Sequence, residues 1–255
     1  METAEKARAL RLLTELSSIP SVNGRDDEGA VARWLCRTFQ SAGLSAFVQE
    51  IDGTHANVVA VLEGIDNSDP AVWNGHLDTV PYGDGSAWHT DPAVPTERDG
   101  LLYARGASDM KSGLAAMAYA LCVYAASGRQ PARRTVFLGT CDEERGGLGA
   151  SAILRDNLLP PCSTLLIGEP TGNQFGVAQK GCIWLQIHVA GKTSHGAYPE
   201  QGCNAVERGF ELAAALKKEV GTYRHPVLGG ATAQITRIEG GVAPNMTPDQ
   251  CTLLM

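Results

Sequence analysis

The feature that most constrains this chain is a series of short apolar runs that alternate with helix-like stretches, several of the runs leading directly into His, Asp or Glu. Ser45–Ile51, Asn57–Leu62, Ala71–Gly75, Thr135–Thr140 and Thr164–Gly168 have strand character. Between the last three lie an Ala/Leu/Met-rich stretch, Met110–Ala126, which predicts a long helix ended by Gly128, and a second predicted helix over Leu148–Leu158. Two further helices are expected upstream. Ala4–Leu16 places Ala7, Leu10, Leu12, Leu13 and Leu16 at mostly helical spacing, and Glu28–Ala42 follows the cap candidates Asp26 and Asp27. Strands that alternate with helices predict an α/β fold whose mixed sheet, at least partly parallel, is covered by helices.

Near Lys180 the pattern changes. A strand over Cys182–Val189, a Gly-rich turn, a helix over Ala205–Val220 and a strand over Thr232–Ile238 predict a smaller α+β domain, so residues 1–180 and 181–255 are expected to form two domains. The chain closes on Thr252-Leu253-Leu254-Met255, an apolar run of strand character. A terminal strand without a partner would leave apolar surface and backbone groups uncovered, so the sequence is expected to be truncated at its C-terminus.

With 255 residues, 44% of them hydrophobic, the chain can bury a substantial core. A net charge of -7 without a Lys/Arg cluster argues against nucleic acid as a partner. No stretch approaches the roughly 20 apolar residues of a membrane span, and the N-terminus lacks the apolar segment of a signal peptide. Cysteines at 36, 122, 141, 162, 182, 203 and 251 form no C-x-x-C pair and read as free thiols of a cytoplasmic protein.

The polar residues at the ends of the apolar runs carry the chemistry. His76 and Asp78 flank Leu77 at a strand end, and period-two geometry sends both to one face, as suits a metal-binding imidazole with an acid nearby. Taken alone, the tripeptide could equally be a strand-capping turn. Asp109 stands at the start of the long helix, where its plain role is a cap or first-turn acid. Asp142-Glu143-Glu144 follows the strand Thr135–Thr140, and Glu169 follows Thr164–Gly168; an acidic triplet by itself is most simply a solvated turn. In open α/β sheets, however, ligands bind in the crevice beyond the carboxyl ends of the strands, where three strand ends and a helix start would all offer His or carboxylate groups. One imidazole and several carboxylates form a ligand set for Zn, Mn or Co, and crowded carboxylates call for more than one unit of metal charge to neutralise them; two metals could share a water. Of Glu143 and Glu144, one can bind metal while the other takes a proton from water.

His76-Leu77-Asp78-Thr79-Val80, the stretch Tyr103–Lys111, Asp142-Glu143-Glu144 and Gly168-Glu169-Pro170-Thr171 together resemble the ordered signature of the aminoacylase-like metallopeptidases, among them acetylornithine deacetylase, succinyl-diaminopimelate desuccinylase, carboxypeptidase G and several dipeptidases. The resemblance runs from about residue 10 to the end. It implies a zinc-peptidase-like catalytic domain and a ferredoxin-like dimerisation lid, here incomplete. It also implies two divalent metals, Zn or else Co or Mn, with His76 and Glu169 on one, Glu144 on the other and Asp109 bridging both. Glu143 would be the general base, Asp78 the acid beneath the histidine, and the Asp109–Met110 peptide a cis bond. Gly191–Ala197 resembles the lid stretch whose histidine, here His195, reaches the partner subunit of a homodimer and stabilises the oxyanion. Asn245 matches a lid position that touches substrate, although it could also be an ordinary turn residue.

Ala93 stands where the family commonly has Phe, and the family's final histidine ligand and lid arginine have no counterpart in these residues. His55, His89, His188 and His225 lie in no motif and are expected to be structural or on the surface. The reaction implied is hydrolysis, by a metal-bridging water, of the amide of an N-acyl amino acid or small peptide. A dipeptidase or carboxypeptidase would share every motif, and a non-catalytic dimerising fragment with an incomplete site would keep the fold; metal content distinguishes the last. The 255-residue chain alone is expected to be inactive.

Overall fold

The computed structural model describes residues 2–255, and the chain divides into two compact units, Met1–Asn173 and Gln174–Met255. The first unit runs α1 (Glu2–Ser17), α2 (Gly29–Ser41), β1 (Ser45–Glu50), β2 (Ala56–Leu62), β3 (Asp66–His76), β4 (Thr96–Arg98), β5 (Leu101–Tyr103), α3 (Ser112–Ala126), β6 (Arg133–Thr140), α4 (Leu148–Arg155) and β7 (Thr164–Ile167). Five strands form one sheet in the order β1-β2-β6-β3-β7, and β4 pairs with β5 in a separate hairpin. β1, β2 and β6 are antiparallel neighbours, whereas β6, β3 and β7 are parallel, which makes the sheet mixed as expected.

Alternation along the central strands explains the layers. Val58, Ala60 and Phe137 face one side, where they pack with Leu16 of α1, Val31, Leu35 and Phe39 of α2, and Leu114 and Ala118 of α3. Val59, Val136 and Leu138 face the other side, with Val72 and with Ile153 of α4. A strand segment buried on both faces is mostly apolar, as Val58–Leu62 of β2 and Val136–Gly139 of β6 are in the sequence. On α2 the buried residues Val31, Ala32, Leu35, Cys36 and Phe39 recur at helical spacing and form a single stripe.

Several element limits depart from expectation. β3 reaches back to Asp66, with a register shift between Asp66 and Ala71; Pro70 in that interval lacks the N–H that a continuous ladder needs. α4 stops at Arg155 because Asn157 adopts a left-handed backbone (φ 55°). Asp109 does not cap α3. Lys111 holds the cap position, and Asp109 and Met110 have non-helical dihedrals within the wide turn Ala107–Lys111. This turn sends Met110 fully into the core and leaves Asp109 exposed beside His76. The Asp109–Met110 peptide is cis.

The second unit holds β8 (Gln186–Ala190), α5 (Ala205–Val220), the short hairpin β9 (Arg224–His225) with β10 (Gly229–Gly230), β11 (Arg237–Gly240) and β12 (Gln250–Leu254). Three strands form an antiparallel sheet in the order β11-β12-β8. Ala205 and Ala213 of α5 pack on Cys251, Leu253 and Met255. Asn204 caps α5 by accepting hydrogen bonds from Val206 N and Glu207 N. The closing apolar run is therefore not a strand without partners, because β12 is the centre of its sheet and Leu253 is fully buried. β8 starts at Gln186 rather than Cys182 because its ladder begins opposite Leu254, and Ile183 and Trp184 upstream are exposed. The strand expected over Thr232–Ile238 forms instead at Arg237–Gly240, opposite Leu254 to Cys251.

Candidate metal centre

The register of the parallel strands sets the height of each polar group. His76 ends β3 level with Thr140, the last residue of β6, and Asn74 is level with Ile167, the last residue of β7. The loops that follow β6 and β7 therefore leave the sheet at the same edge as His76, and they carry Glu143, Glu144 and Glu169. α3 approaches that edge closely. A Cβ on Gly113 would lie 1.9 Å from the carbonyl oxygen of Gly168, so only glycine allows the helix start to sit against the β7 end.

One ligand atom from each of His76, Asp109 and Glu144 lies within 4.8 Å of the other two. His76 Nε2 is 3.1 Å from Asp109 Oδ1 and 3.8 Å from Glu169 Oε1. The other ring nitrogen, Nδ1, is 3.0 Å from the Asp78 carbonyl and 3.5 Å from Asp78 Oδ1. A proton on Nδ1 satisfies these oxygens and leaves Nε2 free to bind a cation on the side of the acids. Asp78 is fully buried and accepts hydrogen bonds from Glu143 N (3.1 Å) and Glu144 N (3.0 Å). It thus orients both the histidine and the acid loop. Glu143 is exposed, while Glu144 is half-buried.

The charges explain why this cluster suits cations. Burial, together with the nearby Asp109 and Glu143, raises Glu169 to about 7, and burial with the same neighbours raises Glu144. His76 is buried, which opposes its charged form, yet Asp78, Glu169 and Asp109 outweigh burial and lift it to about 9. Asp78 is held below its ordinary value despite burial, through His76 and the two backbone N–H groups. Carboxylates crowded enough to raise one another bind divalent metal readily, because the cation replaces the missing counter-charge. Oxygen and imidazole donors without thiolate fit Zn, Co or Mn.

Of the sequence-derived site residues, His76, Asp78, Asp109, Glu143, Glu144 and Glu169 come together in the first unit. His195 and Asn245 lie in the second, where they share one exposed loop pair. His195 bridges Met246, and Gly196 N donates to Asn245 O at 2.8 Å. His195 Nδ1 accepts from Ala197 N at 3.1 Å, so the ring proton sits on Nε2. A cavity of about 340 Å³ in the second unit, lined by Lys180, Arg224, His225 and Leu228, contains none of these residues. The sequence reading missed Asn23 and Glu28. Both are buried against Asp78 and Asp142, and neither lies in a stretch whose residues announce chemistry.

Among solved structures, a tripeptidase from Staphylococcus aureus is 24% identical, with a TM-score of 0.69 over 97% of this chain and 65% of that one. An M20 family metallo-carboxypeptidase from Sulfolobus solfataricus is 18% identical, with a TM-score of 0.68 over 96% and 70%. A curated relative from Staphylococcus epidermidis, named "Probable succinyl-diaminopimelate desuccinylase", is 31% identical over 82% of this chain and 51% of its own length. The succinyl-diaminopimelate desuccinylase of a Polaromonas species is 30% identical over 89% and 56%. The chain thus spans little more than half the length of these two relatives. No described helix is long and apolar enough to cross a membrane. Because the family profile covers residues 72–254, well over half of the chain and every acid gathered around His76, the protein belongs to peptidase family M20/M25/M40.

Proposed function

We propose that this protein is a two-metal amidohydrolase of the deacylase or desuccinylase type, which cleaves the amide of an N-acyl amino acid. The observation that supports it most is the convergence of His76, Asp109 and Glu144 ligand atoms within 4.8 Å at the carboxyl edge of the sheet, with Glu169 beside them. Two divalent cations, most simply Zn, would polarise the scissile carbonyl and make a bridging water acidic enough to attack at neutral pH. His76 and Glu169 would hold one cation and Glu144 the other, with Asp109 shared between them.

The protein groups divide the remaining work. Glu143 is exposed at the site and needed by no buried contact, which leaves its carboxylate free to accept the water's proton and return it to the departing nitrogen. Asp78 orients His76 and the loop that carries Glu143. His195, with its proton on Nε2, donates to the oxyanion of a partner subunit's substrate in a homodimer, and Asn245 on the adjoining loop contacts that substrate. The curated relatives at 30–31% identity are named for desuccinylation, which favours an N-succinyl or other N-acyl amino acid over a peptide. The peptidase likenesses, at 24% or less, bear on the fold. Seven free cysteines fit a cytoplasmic location.

The test is titration of the metal-free protein with Zn or Co, followed by assay of succinate release from N-succinyl amino acids and of dipeptide cleavage. Two equivalents of metal, a large loss of affinity in His76→Ala, and succinate release by the metal-loaded protein are expected of a full-length version of the chain, whereas the 255 residues alone should bind the second metal weakly and release hardly any succinate. Failure to bind either ion more tightly than millimolar would overturn the reading.

A further inference from the structure

Behind the metal centre lies a buried polar cluster that the hydrolytic reading does not use. Asn23 follows Val22, which bridges Thr79, and Asn23 N donates to the Thr79 carbonyl at 2.9 Å, so its backbone is tied to the loop after His76. Its side-chain nitrogen lies 2.9 Å from Asp78 Oδ2, 3.0 Å from Glu28 Oε1 and 3.1 Å from Asp142 Oδ1. Three carboxylates thus converge on one amide. Its own oxygen is buried without a partner, so the carboxylates decide which way the amide points.

Glu28, just ahead of α2, is fully buried. Its second oxygen accepts from Asp142 N at 2.8 Å. Together with the two Asp78 bonds, this means that three successive N–H groups, those of residues 142, 143 and 144, all end on buried carboxylates. Asp142 also adopts a left-handed backbone (φ 60°), which is uncommon for residues other than glycine, asparagine and aspartate. On the far side of Glu28, His55 Nε2 is 3.7 Å from Oε1 while Nδ1 is 2.9 Å from Asp52, which supplies partial positive charge to the cluster.

We propose that Asn23 and Glu28 are positioning residues that clamp the loop Asp142–Glu144, fixing the proposed base Glu143 and metal acid Glu144 against His76. An apolar contact would have packed the loop at lower cost, since burying Glu28 and Asp78 carries a desolvation penalty of several kcal/mol per ion. What the carboxylates add is direction. Asp78 accepts charge-assisted hydrogen bonds and Glu28 accepts hydrogen bonds, each along a fixed line, and a displacement of about 1 Å at such a site costs on the order of 100-fold in rate. The activity part of this proposal rests on the amidohydrolase reading; the clamp itself does not.

The experiment is hydrogen–deuterium exchange of the metal-free protein, comparing wild type with Asn23→Ala, Glu28→Leu and Glu28→Gln. Exchange in the peptide covering Asp142–Glu144 should quicken at least tenfold in Asn23→Ala and Glu28→Leu, while α2 and β2 keep their protection. Glu28→Gln retains an oxygen for Asp142 N–H but loses the acceptor for Asn23 Nδ2, and should quicken exchange by clearly less than Glu28→Leu. In the metal-loaded full-length protein, Asn23→Ala should lower kcat about 100-fold and leave KM within about threefold. Unchanged exchange in the first two variants overturns the clamp, as does equal quickening throughout the first unit or the same loss in Glu28→Gln as in Glu28→Leu. Exchange needs neither metal nor turnover, so the 255 residues suffice to test the clamp, and an inactive full-length protein with the expected exchange pattern would refute the hydrolase reading alone.

Discussion

Gly113→Ala tests whether the approach of α3 to the end of β7 holds the acids together. The added methyl would stand 1.9 Å from the Gly168 carbonyl oxygen and 2.8 Å from its carbon, both backbone atoms that no side-chain rotation can clear. Ordinary carbon–oxygen contact needs roughly 3.3 Å, so helix and strand end must part by more than about 1 Å. Glu169 adjoins Gly168, and its oxygen is already 3.8 Å from His76 Nε2. A shift of that size removes it from a shared coordination sphere, whose bonds are about 2 Å long. Overpacking costs about 1–3 kcal/mol, and the better helix propensity of Ala returns up to about 1 kcal/mol. The net effect on Tm is therefore a few degrees. Metal affinity should suffer more, by 10-fold to 100-fold, because a ligand is displaced. Calorimetric titration with Zn, set beside thermal unfolding, measures both. Gly85→Ala serves as the control, since a methyl there meets nothing within 4 Å. Unchanged metal affinity in Gly113→Ala would refute the claim that this close approach positions Glu169.

Three further outcomes are expected. In a full-length, active version of the chain, Glu143→Gln should abolish turnover and leave metal content intact, whereas Glu144→Gln should lower both; equal metal loss in both variants by elemental analysis would overturn the assignment of roles to this pair. In a full-length homodimer, a mixed dimer of Glu143→Ala and His195→Ala subunits should regain activity well above the mean of its parents, as one oxyanion donor is worth about 100-fold to 1,000-fold; no gain in verified heterodimer would exclude His195 acting across subunits. Burial and the charge of Asp78 raise Glu28 to about 7 from an ordinary 4.5. The native state then holds the extra proton between those values, so this group makes stability fall as pH rises from about 4.5 to 7, by up to roughly 3 kcal/mol. Glu28→Gln should flatten that slope in denaturant titrations at successive pH values, and an unchanged slope would mean that Glu28 is not the titrating group.

The sheet and the edge that gathers His76 and the acids were legible in the sequence for a definable reason. The middles of β2 and β6, Val58–Leu62 and Val136–Gly139, are apolar because both faces are covered, and His76, Asp142–Glu144 and Glu169 follow apolar runs at the point where parallel strands end. Asp109 was legible as an acid before α3 but not as a residue held outside the helix, because nothing in Ala107–Lys111 differs in composition from an ordinary helix start. The β4–β5 hairpin was also missed: three-residue strands are too short to show a period.

Asn23 and Glu28 were invisible for a different reason. Asn23 sits beside Gly24 in a turn-like stretch, and Glu28 precedes an amphipathic helix where an exposed acid is the ordinary expectation. What distinguishes them is burial against groups 55 to 119 positions away in the chain, and neither composition nor period encodes such a partner. The ligands of a metal centre announce themselves because their chemistry is scarce and their place at strand ends is regular. The residues that aim those ligands are common types placed by tertiary contact alone. In this protein they are also the ones that carry the larger desolvation cost, since Glu28 is fully buried while Glu143 remains exposed. The buried cluster thus lets the exposed acid keep one position while remaining free to exchange protons with solvent and substrate.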